Sequence, residues 1–209
     1  MYRPRHYDQA DLETLSRHMR EESFAFLVTV SDGEPFGSHI PLYLDEDGGR
    51  PGRLLGHVAR ANPQWRAFDG ETTALAMFWG PHAYISPTWY QSEKVVPTWN
   101  YVTVHAYGKP RVLSELAQAR DVLERLTATY ESDATGNWSI DRLPEEYVEK
   151  MINGIVAFEM PIERLEGKFK LNQKSSAPDR EGAIKGLRES ADPDAQSIAR
   201  LMMEMAPDR

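Results

Sequence analysis

The chain has 209 residues, 41% of them hydrophobic and 27% charged. That is the range of one soluble globular domain or two very small ones, long enough to bury a core without staples. Cysteine is absent, which excludes a disulfide framework, a thiolate zinc site, a redox dithiol and a cysteine nucleophile together. Lys and Arg number 24 against 32 Asp and Glu, a formal charge of −8, so the long-range field repels polyanions and DNA binding would need a local basic patch.

Asp8 to Arg20 places Leu12, Leu15 and Met19 at helical spacing, which predicts a short amphipathic helix. Phe24 to Val30 is apolar and β-branched, Ser31-Asp32-Gly33-Glu34 is a turn cluster, and Pro35 to Leu44 resumes the strand pattern: a hairpin. Phe24 to Val30 is also the most apolar stretch, far short of the roughly 20 residues of a membrane span. With no signal-peptide pattern at the N-terminus, a cytoplasmic location without membrane association is expected. The glycine-rich loop Asp45 to Arg53 leads into a strand at Leu54 to Ala59 and a helical turn that Pro63 opens. Further strands are expected at Thr72 to Trp79 and Ala83 to Ser86, and a long one at Thr98 to Val112.

Ser114 is the expected N-cap of a helix with the stripe Leu116, Val122, Leu123, Leu126 and Tyr130. Pro144 opens a shorter helix, and Ile155 to Ile162 reads as the last buried strand. A lysine-containing run from Glu166 to Lys174 and a linker-like Ser175 to Pro178 follow. Asp192 then caps a final helix with Pro193 at its first position and Ile198, Leu201, Met202 and Met205 on one stripe. Six or seven strands that do not alternate with helices as βαβ units would imply a mainly β fold: a mixed barrel of mostly antiparallel strands with peripheral helices. Residues 1–165 are expected to form the barrel domain with its covering helices, and residues 166–209 a basic segment and a helix packing on the barrel or on a partner chain.

The sequence lacks a P-loop, a dinucleotide-binding glycine fingerprint, an H-E-x-x-H helix and a nucleophile elbow, and so excludes the enzyme classes those motifs carry. What remains are polar residues in strand-like surroundings. In Ser38-His39-Ile40-Pro41, alternation puts Ser38 with Phe36 and Ile40 on one face and His39 on the other. The segment His57 to Pro63 runs from a strand into a helix start. Arg60 there is either an anion ligand or a surface arginine beside a cap. The aromatic segments Tyr84 to Tyr90 and Val96 to Tyr101 are the densest. Alternation sets Trp99, Tyr101, Thr103, His105 and Tyr107 on one face, opposite Asn100, Val102 and Val104. The rings are either core or the walls of a site for a planar heteroaromatic ligand. The carboxylate pairs Glu21-Glu22, Glu145-Glu146 and Asp192-Asp194 fall at helix ends or in loops, and no residue is assigned a catalytic role.

With these motifs in order, the chain resembles the PaiB-like family of FMN-binding negative transcriptional regulators. The resemblance runs from Met1-Tyr2-Arg3-Pro4 through His-Ile-Pro, His57 to Pro63, Ile-Ser-Pro-Thr-Trp-Tyr and Val-Pro-Thr-Trp-Asn-Tyr to Lys168–Gln173. It departs at Lys170-Leu171-Asn172-Gln173-Lys174, where the family has Lys-Leu-Ser-Gln-Asn. The resemblance implies an antiparallel FMN-binding split barrel and a homodimer with FMN in grooves lined by both chains. Cofactor-binding positions would be Ser38, His39, His57, Arg60, Asn62, Thr98, Trp99, Asn100 and Lys170. Arg60, with Asn62 nearby, would hold the phosphate; His39, Thr98 and Asn100 would address polar edges; Trp99 would supply an aromatic wall; and Lys170 would reach in from the partner chain. The function implied is flavin-linked negative regulation of transcription. The alternative is an FMN-dependent oxidoreductase acting on a small substrate with a nicotinamide donor, and a weaker one is a binding protein for another planar ligand such as haem, held by a histidine. Direct DNA contact is possible but unsupported by the charge or by any evident helix-turn-helix, and a patch for it would have to come from Lys168, Lys170, Lys174, Arg180, Lys185 and Arg188.

Overall fold

The computed structural model describes residues 1–47 and 49–205. In chain order, a short strand β1 (Asp8–Gln9) and helix α1 (Leu12–Glu21) precede the hairpin of β2 (Phe24–Ser31) and β3 (Glu34–Pro41). Strands β4 (Tyr43–Asp45), β5 (Arg53–Ala59), β6 (Ala74–Ile85), β7 (Thr98–Gly108) and β8 (Arg111–Val112) follow. Then come helices α2 (Leu116–Tyr130) and α3 (Glu145–Asn153), strand β9 (Ile155–Lys170), and helices α4 (Ala177–Arg188) and α5 (Pro193–Glu204). The sheet order is β3-β2-β6-β7-β9-β5-β4, with β1 and β8 also on β9, and the path does not close. The registered pairs, among them β2 with β3 and β6, and β5 with β4 and β9, are antiparallel. The mainly β, antiparallel expectation holds. Asp32 and Gly33 both have positive φ, the backbone a two-residue hairpin turn needs to match strand twist.

The chain divides into two compact units. Unit 1 contains residues 1–11, 79–104 and 166–209, and unit 2 contains residues 12–78 and 105–165. Strands β6, β7 and β9 each contribute residues to both.

Several boundaries differ from the sequence expectation. The two strands expected at Thr72 to Ser86 are one strand, β6, running through Gly80-Pro81. Its alternation of buried and open positions slips by one at Pro81-His82, the signature of a bulge, where a proline is tolerated. The long strand expected to reach Val112 divides into β7 and β8. Strand β9 continues past Ile162 to Lys170, and Ser175–Pro178 opens helix α4 instead of a linker: Ser176 accepts from Asp179 N. Glu115, not Ser114, is the N-cap of α2, and it makes no side-chain cap bond.

In unit 2, α2 and α3 cover one face of β5 and β9: Leu55 and Ala157 pack with Val122, Leu126, Val148 and Ile152. Helix α1 buries Leu15 and Met19. In unit 1, α5 buries Ala195, Ile198, Ala199 and Met202 along its stripe, and Asp192 caps it by accepting from Asp194 N.

His18 of α1 is buried in unit 2 with Nε2 3.4 Å from Phe78 O. Burial lowers its pKa from 6.5 to about 4, against the opposing pull of the Phe78 carbonyl. A histidine with a depressed folded pKa contributes stability that is complete above pH 6.5 and is lost as pH falls toward 4. Urea unfolding is therefore expected to show stability falling across that window, and His18→Gln is expected to flatten the fall. A variant curve parallel to wild type at every pH would remove His18 as its source.

Candidate functional site

In unit 1 the alternation of β7 is realised: Asn100, Val102 and Val104 are buried, whereas Trp99 is 53% exposed. The rings of this region are therefore not the core. Trp79 (59% exposed) stacks parallel to Tyr101 with centroids 6.4 Å apart. His82 lies 6.1 Å from Trp99, and Tyr84 meets Trp99 edge-on at 6.0 Å. Trp79 Nε1 donates to His82 Nδ1 at 3.1 Å, and His82 Nδ1 is also 3.1 Å from Asp194 Oδ2. The phase slip in β6 brings Trp79 and Tyr84 to open positions although their numbers differ in parity.

Lys170, at the end of β9, donates through Nζ to Thr98 Oγ1 and Trp99 O. Burial, and secondarily the charge of Lys168, lowers its pKa. Lys168 is buried, its ammonium 5.2 Å from the Tyr101 ring and 5.4 Å from Tyr2. Thr98, Trp99 and Lys170 are thus brought together. Asn100 is not with them: it is fully buried, donates through Nδ2 to Met202 Sδ at 3.4 Å, and leaves Oδ1 without a partner among the described residues.

The unit 2 candidates divide among four neighbourhoods. Asn62 caps the 3-10 helix Pro63–Ala67 by accepting from Gln64 N, and it donates to Ser38 Oγ at 2.9 Å. Gln64, buried beside it, donates to Leu27 O and Phe36 O, so these amides pin the helical turn to the hairpin. His39 is on the opposite face of β3, exposed, with its ring 4.5 Å from Phe26. His57 is half-buried with Nδ1 unpartnered among the described residues, and burial lowers its pKa. Arg60 turns toward the end of α3, donating through Nε to Asn153 O and through Nη2 to Ile155 O, both at 2.7 Å. Arg60 and Asn62, expected side by side at a phosphate, thus address different neighbours. Trp79, His82, Tyr84 and Lys168 are not among the cofactor-binding positions that the resemblance implies, although Tyr84 belongs to an aromatic segment that reads as core or site wall. Only the phase slip at Pro81, which a single sequence does not display, assigns the first three to one surface.

The basic patch expected in the C-terminal region is much reduced. Lys168 and Arg180 are buried, Arg180 donating to the carbonyls of Leu171 and Met202, and Lys170 is bound to Thr98 and Trp99. Lys174, Lys185 and Arg188 remain exposed. Helices α4 and α5 are packed together and joined by residues 189–192. The exposed side of α5 bears Arg200 and Glu204, with Asp194 half-exposed in its first turn, a charge pattern unsuited to phosphate contact.

No described helix is long and apolar enough to cross a membrane. Residues 1–164 match the family described as "Putative FMN-binding domain". The chain is 35% identical over 202 residues to the protease synthase and sporulation protein PAI 2 of Bacillus subtilis (strain 168), covering 97% of this chain and 96% of that one. Among solved structures it is similar to the flavocytochrome Anf3 of Azotobacter vinelandii, with a TM-score of 0.63, 16% identity, and coverage of 84% of this chain and 75% of that one. It is also similar to the FAD and heme binding protein of Mycobacterium smegmatis, with a TM-score of 0.60, 18% identity, and coverage of 85% and 80%. The two structures speak to the fold alone, whereas the match over residues 1–164 and the near full-length relative do more: the chain belongs to the FMN-binding domain family, the PaiB-like flavoproteins of split-barrel fold that its motifs resemble.

Proposed function

We propose that the flavin ring lies against Trp99, that the chain works as a homodimer, and that the state of the flavin is read out as negative regulation of transcription. The observation that carries the first part is the unit 1 surface itself: an exposed indole whose own backbone carbonyl, with the Thr98 hydroxyl, holds the Lys170 ammonium. Such a surface suits a planar heteroaromatic ring with polar margins, because the indole face stacks and the ammonium favours an electron-rich edge. Bound FMN would supply one- or two-electron transfer; the chain's part is to seat and orient the ring. Lys170, partly desolvated and held by Thr98 and the Trp99 carbonyl, is oriented before a ligand arrives.

Trp99→Ala is expected to weaken FMN at least tenfold in a fluorescence titration, a loss of about 1.4 kcal/mol or more. Trp138→Ala, which removes an exposed ring of unit 2, is expected to leave FMN affinity unchanged. Equal affinities for wild type and Trp99→Ala would remove the stacking role. The dimer is supported by the exposed rings Trp79, Tyr84 and Trp99, since aromatic side chains are enriched at interface centres. Sedimentation of the holoprotein at 23.8 kDa would overturn it. The relative's association with protease synthesis and sporulation fits a regulatory role. The second reading, an oxidoreductase, is favoured by the openness of the Trp99 surface to a soluble donor. Steady-state oxidation of a reduced nicotinamide by the FMN-loaded protein would select it.

A further inference from the structure

The phase slip in β6 sets up a contact that a regular strand would not make. Trp79 and His82 are three positions apart, which in unbroken alternation puts them on opposite faces. The slip at Pro81-His82 instead brings their rings to 5.6 Å, edge to face. Two partners then meet on one atom: His82 Nδ1 is 3.1 Å from Trp79 Nε1 and 3.1 Å from Asp194 Oδ2. An indole N–H only donates, and an ionised carboxylate only accepts. One imidazole nitrogen bears either a lone pair or a proton, so it serves the indole or the carboxylate but never both at once.

We infer that His82 is a positioning residue that exchanges Trp79 for Asp194 when it takes up a proton. In the neutral ring with its proton on Nε2, Nδ1 accepts from Trp79 and holds the indole in its parallel stack on Tyr101. In the imidazolium both nitrogens carry protons. Nδ1 then donates to Asp194, tying β6 to the first turn of α5, and the indole N–H turns to water, which the 59% exposure of Trp79 allows. Asp194 is the carboxylate in reach. On α5, Asp192 is engaged in accepting from Asp194 N, and Arg200 in donating to Ser197. On β7 the imidazole faces the Trp99 ring, beyond which lies the Tyr84 phenol of β6 itself. On β9, Lys170 is held by Thr98 and the Trp99 carbonyl, and Lys168 by the rings of Tyr2 and Tyr101. The consequence for binding rests on the proposal that the flavin lies against Trp99. With Trp79 released, that surface is less ordered before a ring arrives, so binding weakens as pH falls.

The indole N–H resonances of the 15N-labelled full chain, without flavin, test the exchange. There are five tryptophans, and the Trp79 peak is the one lost in Trp79→Phe. It is expected to shift as pH falls from 8 to 5.5, with the same midpoint as the Asp194 amide. His82→Gln, whose carbonyl still accepts from the indole but takes up no proton in this range, is expected to leave both resonances unmoved. Asp194→Asn is expected to move the midpoint to lower pH, because a carboxylate no longer favours the charged ring. A Trp79 resonance that stays still in wild type, one that moves equally in His82→Gln, or a midpoint unchanged by Asp194→Asn would each overturn the inference. Titration with riboflavin, which carries no titrating phosphate, reads the consequence. Wild type is expected to bind it about threefold more weakly at pH 5.5 than at pH 8, and His82→Gln equally at both. Exchange at Trp79 with wild-type riboflavin affinity equal at the two pH values would leave the exchange standing and overturn the seat of the flavin at Trp99.

Discussion

Gly182→Ala is expected to destabilise unit 1 by roughly 3 kcal/mol, at the upper end of the cost of overpacking. Gly182 and Gly186 share one face of α4, and Trp89 lies against both. A methyl on Gly182 would collide with the Trp89 carbonyl oxygen, and one on Gly186 with the Trp89 indole. Alanine in a helix interior otherwise gains about 1 kcal/mol over glycine, so the sign depends on whether the neighbour can move. A ring can turn; a carbonyl held in a 3-10 turn cannot, and Trp89 ends the turn Pro87–Trp89 that Ser86 caps through Thr88 N. Gly182→Ala is therefore expected to cost more than Gly186→Ala. In a Trp89→Ala background Gly186→Ala should become nearly neutral, whereas Gly182→Ala should remain costly. Urea unfolding of the three single and two double variants measures the two cycles, and equal relief for both glycines would show that the carbonyl is not the obstacle.

The same helix holds the chain that leads to the proposed flavin surface. Asp179 accepts from Gln91 N at 2.7 Å, Ser92 N at 2.9 Å and Ser92 Oγ at 2.7 Å. The Ser92 hydroxyl and amide hold its pKa down to about 2, so the carboxylate that makes these bonds is charged at neutral pH. Residues 89–92 are thus fastened to α4 shortly before Thr98 and Trp99, and Gly182→Ala is expected to weaken FMN along with stability.

Elements with a local signature were legible in the sequence. The β2–β3 hairpin follows from Asp32-Gly33, and α5 from an Asp192 cap with Pro193 behind it. The alternation of β7 placed Trp99 opposite Asn100, which is what the structure shows; it did not say which face was buried. Where the expectation failed, a long-range contact had overridden a local one. Gly80-Pro81 reads as a break, yet β6 continues through it. Glu166 and Lys168 belong to a run that reads only as a basic segment, yet both are buried: Glu166 receives the amino group of Met1, and Lys168 lies over Tyr2 and Tyr101. Ser176 with Asp179 three residues later is a legible helix start that the neighbouring Ser175 and Pro178 disguised as a linker. The candidate site was least legible because two of its members act through the backbone. The orientation of Arg60 is fixed by carbonyls at Asn153 and Ile155, and that of Lys170 partly by the carbonyl of Trp99. No side-chain pattern announces such partners.

Arg53→Ala is expected to cost about 3–5 kcal/mol at pH 7, the range for stranding a buried charge. Arg53 lies between two carboxylates that are almost wholly buried, Asp45 at 1% and Glu159 at 2% exposure. Its Nε donates to Asp45 Oδ2 at 2.9 Å and its Nη1 to Glu159 Oε2 at 2.6 Å. Burial is the largest single influence on Asp45 and opposes its ionisation, but the Arg53 bond, the Asp47 amide and the charges of Arg53 and Arg125 together outweigh it and hold the carboxyl below its ordinary pKa. Without Arg53, the partners left among the described residues are Asp47 N and Arg125, 3.9 Å away, for Asp45 and Arg111 for Glu159. The reverse substitution is expected to be milder. Glu159→Gln leaves Arg53 and Arg111, whose side chains are 43% and 64% exposed, free to turn to water, so roughly 1 kcal/mol is expected. Arg53→Lys should recover little, because one ammonium cannot present the forked donors that span both acids. A carboxylate stranded by Arg53→Ala is relieved by taking up a proton, so the folded variant binds protons that the unfolded chain has already released. Its deficit relative to wild type is therefore expected to shrink as pH falls from 7 to 5. Chemical unfolding at the two pH values checks both the size and the sign. A deficit independent of pH would mean that packing of the arginine stem, and not the charge between Asp45 and Glu159, is what Arg53 contributes.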